Sequence, residues 1–184
     1  GAFFKSVQEA GYSLTDDVNG FRQEGFARFD RNIHRGRRLS AARAYLYPVM
    51  MRTNLTVKTH AFVRRVIFGG KQAHGVEVVI RGKTQTIRGR EIVLCGGAIN
   101  TPQILQLSGV GNASELEKLG IPILHDLPGV GENLQDHLEV YVQYSCKQPV
   151  SMQPMLKKWP RTIIGAKWLV LRKGPGATNQ FEAG

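Results

Sequence analysis

Cysteine is nearly absent, with Cys95 and Cys146 the only two among 184 residues. Two thiols without CxxC or Cys/His spacing exclude a disulfide-stapled scaffold and a zinc module; they point to a reducing compartment and are expected as buried, unreactive thiols. Long apolar runs are missing as well. The longest near the C-terminus, residues 163–171, is interrupted by Lys167. It falls well short of the roughly 20 residues that cross a bilayer, so no transmembrane helix is expected. Acidic residues are scarce, 14 against 25 Lys and Arg, which leaves a formal charge of +11. That balance favours anionic partners, whether nucleic acid, lipid headgroups or a phosphate-bearing cofactor, without choosing among them. No GxGxxG occurs, and the sequence opens on Gly1 with no basic segment and apolar run of a leader, so an internal portion of a longer polypeptide is expected.

What is present is material for a core. Hydrophobic residues make up 42%, with eight Phe, five Tyr and two Trp, so low-complexity disorder is excluded. Phe3, Phe4, Val7 and Ala10 fall at helical spacing before Gly11, a cap residue, and Asp16, Asp17, Asn19 and Gly20 form a turn cluster. Six arginines (28, 31, 35, 37, 38 and 43) then crowd into sixteen residues together with His34. Such a run is more often a solvated face than a phosphate contact, and both readings stand at this point.

Residues 55–59, 63–68, 76–80, 84–87 and 92–94 read as β-rich runs, with Gly69-Gly70 and Gly82-Lys83 as hairpin turns. The last run, Ile92-Val93-Leu94-Cys95, is continuously apolar, as a strand buried in a parallel sheet would be. It leads through Gly96-Gly97-Ala98 to a helix expected to start at Pro102 behind Thr101 as N-cap, with Ile104, Leu105 and Leu107 on its apolar side. A strand, a glycine turn and a helix start together can present backbone N–H groups to an anion, although glycine at such a turn more often serves close packing, and both readings stand at this point. A second short helix follows, with Asn112 and Glu115 in capping-box relation, Leu116 and Leu119 inward and Gly120 closing it. Beyond Gly131 an alternating strand is expected around Val140, Val142 and Tyr144. A loop over residues 150–160 then precedes a helix carrying Ile164, Trp168 and Leu171, ended by Gly174 and Pro175.

The fifteen residues 97–111, with Thr101-Pro102 and terminal Ser108-Gly109-Val110-Gly111, closely resemble the second signature of the glucose-methanol-choline (GMC) flavoprotein oxidoreductases. Asn54-Leu55-Thr56-Val57 through Val63 and Val66 resembles the same family, as do Pro128-Gly129-Val130-Gly131-Glu132-Asn133-Leu134-Gln135-Asp136-His137, Asp17-Val18-Asn19-Gly20 and Gln23-Glu24-Gly25-Phe26. Residues 135–139 and 179–184 are similar to the members that oxidise choline. The resemblance covers almost the whole chain.

It implies an α/β fold with α+β elements: the central part of a Rossmann-like FAD-binding domain over residues 1–136, then the start of an antiparallel-sheet substrate domain over 137–184. It further implies FAD as cofactor, choline or another small alcohol as substrate, and hydride transfer to the flavin that converts choline to betaine aldehyde. Electrons would pass to the acceptor of a membrane chain, at the mitochondrial inner membrane or the bacterial plasma membrane. The family's pyrophosphate-binding GxGxxG and its catalytic His with a His or Asn partner are missing from this sequence, so the chain alone is expected to be inactive.

Residue by residue, the resemblance places FAD contacts at Gly97 and Ala98 and, through main chain at the adenine, at Val63; an ordinary core valine is the alternative there. His137 and Glu139 lie two apart at the entry to the expected strand, facing the same way. A trimethylammonium group accepts no hydrogen bond, so it needs a carboxylate or aromatic faces nearby. By the resemblance Glu139 binds that group and His137 supports catalysis by polarising the alcohol. A surface glutamate and a structural histidine are the plain alternatives. The other histidines show no metal spacing, and Ser108 lies outside GxSxG. A basic nucleic-acid or anionic-membrane module remains a rival of another class, with steep salt dependence as its mark.

Overall fold

The computed structural model describes residues 2–145, 147–148 and 151–178. Cys146 and residues 179–184, both used in the sequence reading, lie outside the described residues. The elements are α1 (Ala2–Glu9), β1 (Ile33–His34), β2 (Arg37–Arg38), β3 (Ala61–Gly69), β4 (Gln72–Ile80), β5 (Lys83–Arg88), α2 (Gly97–Leu107), β6 (Val110–Gly111), α3 (Ala113–Lys118), β7 (His125–Asp126) and α4 (Lys158–Leu171). Helices combine with antiparallel and short parallel pairs, in keeping with the expected α/β class. Two compact units form, one from residues 1–56 and 143–184 and one from residues 57–142.

In the first unit, α1 buries Val7, and Gly11 takes φ +83 past its end, as the cap glycine predicts. The Asp17 carboxylate accepts from Asn19 N–H at 2.8 Å in the expected turn. The basic run forms the β1–β2 hairpin, whose corner residues Arg35 and Gly36 take φ 49° and 69°, the two-residue geometry that fits strand twist. That corner packs on α4. Trp168 Nε1 donates to the Gly36 carbonyl at 2.6 Å, and the Arg172 guanidinium stacks over the Trp168 ring at 4.3 Å. The backbone of the basic run is therefore structural, and within the run Arg31 donates to Thr178 Oγ1 at 3.4 Å.

In the second unit, β3, β4 and β5 form an antiparallel meander with Val66 and Val78 buried. The register slips between Val63 and Arg65, leaving Arg64 as a bulge residue, so that Arg64 and Arg65 both reach the Glu77 carboxylate, at 3.7 and 3.1 Å. Next, α2 leads into β6, which pairs in parallel with β7, and α3 bridges them with Leu116 buried. Asn112 caps α3 by accepting from the N–H groups of Ser114 and Glu115. Glu115 pairs with Lys118 at 2.8 Å, so only half of the capping box forms.

Several expectations are corrected. Residues 55–59 form no strand, and residues 92–94 are not a buried strand either, because Val93 is 73% exposed. A strand of this kind needs hydrogen-bonded partners at its edges and layers covering both apolar faces, and no strand pairs with it among the described residues. Cys95, in the same uncovered segment, is exposed rather than buried. Helix α2 begins at Gly97 rather than Pro102. Gly97 takes φ +80, a turn that glycine makes without strain, and so swings the chain into the helix more than a turn early. Pro102 is then interior, and its missing N–H leaves Ala98 C=O without the i+4 backbone donor. Thr101 is no N-cap, although its Oγ1 accepts from Gly96 N–H at 2.9 Å. Leu119 is exposed, and Val140, Val142 and Tyr144 lie in an exposed segment without regular secondary structure and with no strand partner among the described residues.

Candidate functional site

The two glycine-rich segments singled out in the sequence meet in space. Ala98 and Pro102 on α2 line one wall of an open cleft of about 660 Å³, and Gly129, Gly131 and Asn133 line the other. Gln106 ties the walls together, its Nε2 donating to the Val130 carbonyl at 3.1 Å. A side chain at residue 131 would be strained by the backbone φ of +89, and its Cβ, 2.8 Å from Gln106 Nε2, would displace that amide. Glycine takes this left-handed turn without strain and leaves the Gln106 amide in place between loop and helix. Gln103, Asn133 and Gln135 add amide groups, and Glu132 is the one acid among the described lining residues. Small residues, exposed main chain and amides make a cradle suited to a large, flat, polar group.

Val63 lies elsewhere in this unit, half-buried on β3 opposite Val78 and beside the bulge. What joins β3 to α2 is Ser108. Its hydroxyl accepts from Val66 N–H at 2.8 Å and donates to the Ile104 carbonyl at 2.5 Å. β3 is an edge strand, and at Val66 N–H the serine supplies the partner that another strand would. Replacing Ser108 with Ala is expected to cost about 1–3 kcal/mol, since a part-buried N–H loses its acceptor. Amide exchange at Val66 and the denaturation midpoint check this; unchanged protection at Val66 would show the bond to be dispensable.

His137 and Glu139 follow the cleft on the exposed segment. The backbone N–H of His137 donates to the Asp136 carboxylate at 2.8 Å. Tyr141, which sequence reasoning passed over, donates its phenolic proton to Glu139 Oε2. The spacing of two from Glu139 was the available signal. The Glu139 carboxylate that holds this proton pushes the Tyr141 phenol above the ordinary tyrosine value of 10.0. A raised acid of this kind contributes its stability below the ordinary value and loses it as pH climbs through the folded one. Among the described residues no His, Cys, Asp and Glu group is arranged to hold a metal ion, and no helix is long and apolar enough to cross a membrane.

Comparison with known proteins shows the family. Residues 1–139 match the family model of the GMC oxidoreductases. The chain is 57% identical, over all of its 184 residues, to the oxygen-dependent choline dehydrogenase of Staphylococcus xylosus, covering 33% of that protein. Among solved structures it is similar to a formate oxidase, with TM-score 0.81 and 26% identity over 98% of this chain and 32% of the other. It is also similar to an FAD-dependent oxidoreductase from Chaetomium thermophilum, with TM-score 0.77 and 27% identity over 98% of this chain and 33% of the other. The chain belongs to the GMC oxidoreductase family. It spans about a third of the length of the curated relatives it matches.

Proposed function

We propose that this chain supplies the central part of the flavin site and the entry to the substrate site of an FAD-dependent choline dehydrogenase. The observation that carries the reading is the meeting of residues 97–111 and 128–135 around one cleft of glycines and amides. That donor set fits FAD. Gly97 and Ala98 would hold it at the start of α2, and Val63 would meet the adenine through main chain of the edge strand that Ser108 fixes. Bound there, FAD supplies an acceptor for the hydride of the alcohol carbon as choline becomes betaine aldehyde.

The chain's own residues bind and orient. Glu139 offers a negative charge to the quaternary ammonium, which can be held by charge and by aromatic faces but not by hydrogen bonds. His137, two residues earlier, supports the alcohol end. Residues 1–136 are assigned to the FAD domain and residues 137–184 to the start of the substrate domain.

Electrons are assigned to an acceptor of a membrane chain, with the enzyme at the bacterial plasma membrane, as the relatives are bacterial. Their names specify oxygen dependence, which favours a second reading in which oxygen takes the electrons directly. Choline added anaerobically to the full-length protein is expected to bleach its oxidised-flavin absorbance with matching formation of betaine aldehyde. Bleaching by simple alcohols but not by choline would overturn the substrate assignment. Readmitting air or adding a quinone to the reduced protein distinguishes the two acceptors.

A further inference from the structure

Tyr141 stands beside Glu139 on the same side of the exposed segment, its hydroxyl bonded to the carboxylate. Tyr141 is 79% exposed, so the ring is not spent on core packing. No bond of the Glu139 carboxylate other than the one from Tyr141 is seen among the described residues. A carboxylate beside an aromatic ring is a pairing suited to a permanent, fully alkylated cation. The charge attracts it, and the negative face of the ring takes the alkyl groups that no hydrogen bond can hold.

We propose that Tyr141 is a substrate-reading residue of the same site: its hydroxyl orients the Glu139 carboxylate and its ring packs against the quaternary ammonium. This rests on the assignment of Glu139 above and adds a second determinant to it. The two contributions separate by substitution. Tyr141→Phe keeps the face and removes the bond to the carboxylate, whereas Tyr141→Leu removes both while keeping apolar bulk. Glu139→Gln removes the charge but leaves an amide oxygen for the phenol.

The experiment uses the full-length, FAD-loaded enzyme and compares KM for choline with KM for its uncharged isostere, in which carbon replaces the quaternary nitrogen. Tyr141→Leu is expected to shift that selectivity by about tenfold against choline, the scale of a partly desolvated cation on an aromatic ring, with Tyr141→Phe shifting it less. Selectivity that falls in Glu139→Gln but stays at the wild-type ratio in both Tyr141 variants overturns this inference and leaves the Glu139 assignment standing. Selectivity that falls in the Tyr141 variants and not in Glu139→Gln keeps the ring as a reader and overturns the Glu139 assignment. Equal rises in KM for both alcohols in Tyr141→Leu and in Tyr141→Phe would show a residue that only supports the segment, which also overturns the inference.

Discussion

Glu139→Gln in the full-length enzyme is expected to raise KM for choline about tenfold while the uncharged isostere changes far less, the scale set by a charge pair lying between solvent-exposed and protein-like screening. Two unit charges about 4 Å apart attract by about 1 kcal/mol in water and about 4 kcal/mol at an effective dielectric of 20. The upper figure applies only where substrate and protein together exclude water, and desolvation of the carboxylate is subtracted from it. A factor near ten lies between these limits. This chain's own charge of +11 works against a cation, and the Glu139 carboxylate supplies a local charge of the opposite sign. Gln preserves the shape and an acceptor for Tyr141, which makes the charge the variable that changes. Steady-state kinetics on both alcohols decides. Equal losses would mean that Glu139 holds the segment in place instead of reading charge.

How much of this was legible in the sequence depends on whether a feature closes locally. The helix α1, the turn at Asp17, the β3–β4–β5 meander, the Asn112 cap and the close of α3 at Gly120 are all built from neighbours in the chain, and each stands where its residues place it. Residues 92–94 and the segment around Val142 carry the right alternation or apolar run but lack pairing partners among the described residues. Strand character there is a statement about neighbours, so the chain alone leaves Val93 and Tyr144 in solvent. Pro102 misled for another reason. Proline is common at the first helical position, and the positive φ at Gly97 that starts the helix sooner has no signature beyond the glycine itself.

The site divides in the same way. The motif over residues 97–111 named its glycines, yet the partners that give it shape, Gln106 on Val130 and Ser108 on Val66, span 24 and 42 residues of sequence. No local pattern marks such bonds. Glu139 and His137 were identified by resemblance to relatives. Tyr141 entered only through its bond to the carboxylate, which a spacing of two permits but does not require.

Gly109→Ala is expected to destabilise the second unit by about 3 kcal/mol or more, the range of substitutions that combine backbone strain with a clash. Gly109 takes φ +86, and a Cβ there would lie 2.4 Å from the Pro122 carbonyl oxygen and 3.0 Å from Leu124 N. Both are backbone atoms held in place. The Gly109 carbonyl accepts from Leu124 N–H at 2.8 Å and from His125 N–H at 3.0 Å. Making room therefore pushes β7 away from β6, and with it the bond from Ala113 N–H to the Asp126 carboxylate that helps start α3. Gly120→Ala is the matched control. Gly120 also has positive φ, +68, but a Cβ there meets nothing within 4 Å, so only the conformational cost of about 1 kcal/mol applies. Chemical unfolding of the two variants separates strain from close approach. A Gly109→Ala loss no greater than that of Gly120→Ala would show that residues 121–125 yield without cost, and that the contact between this turn and β7 does not hold the floor of the unit together.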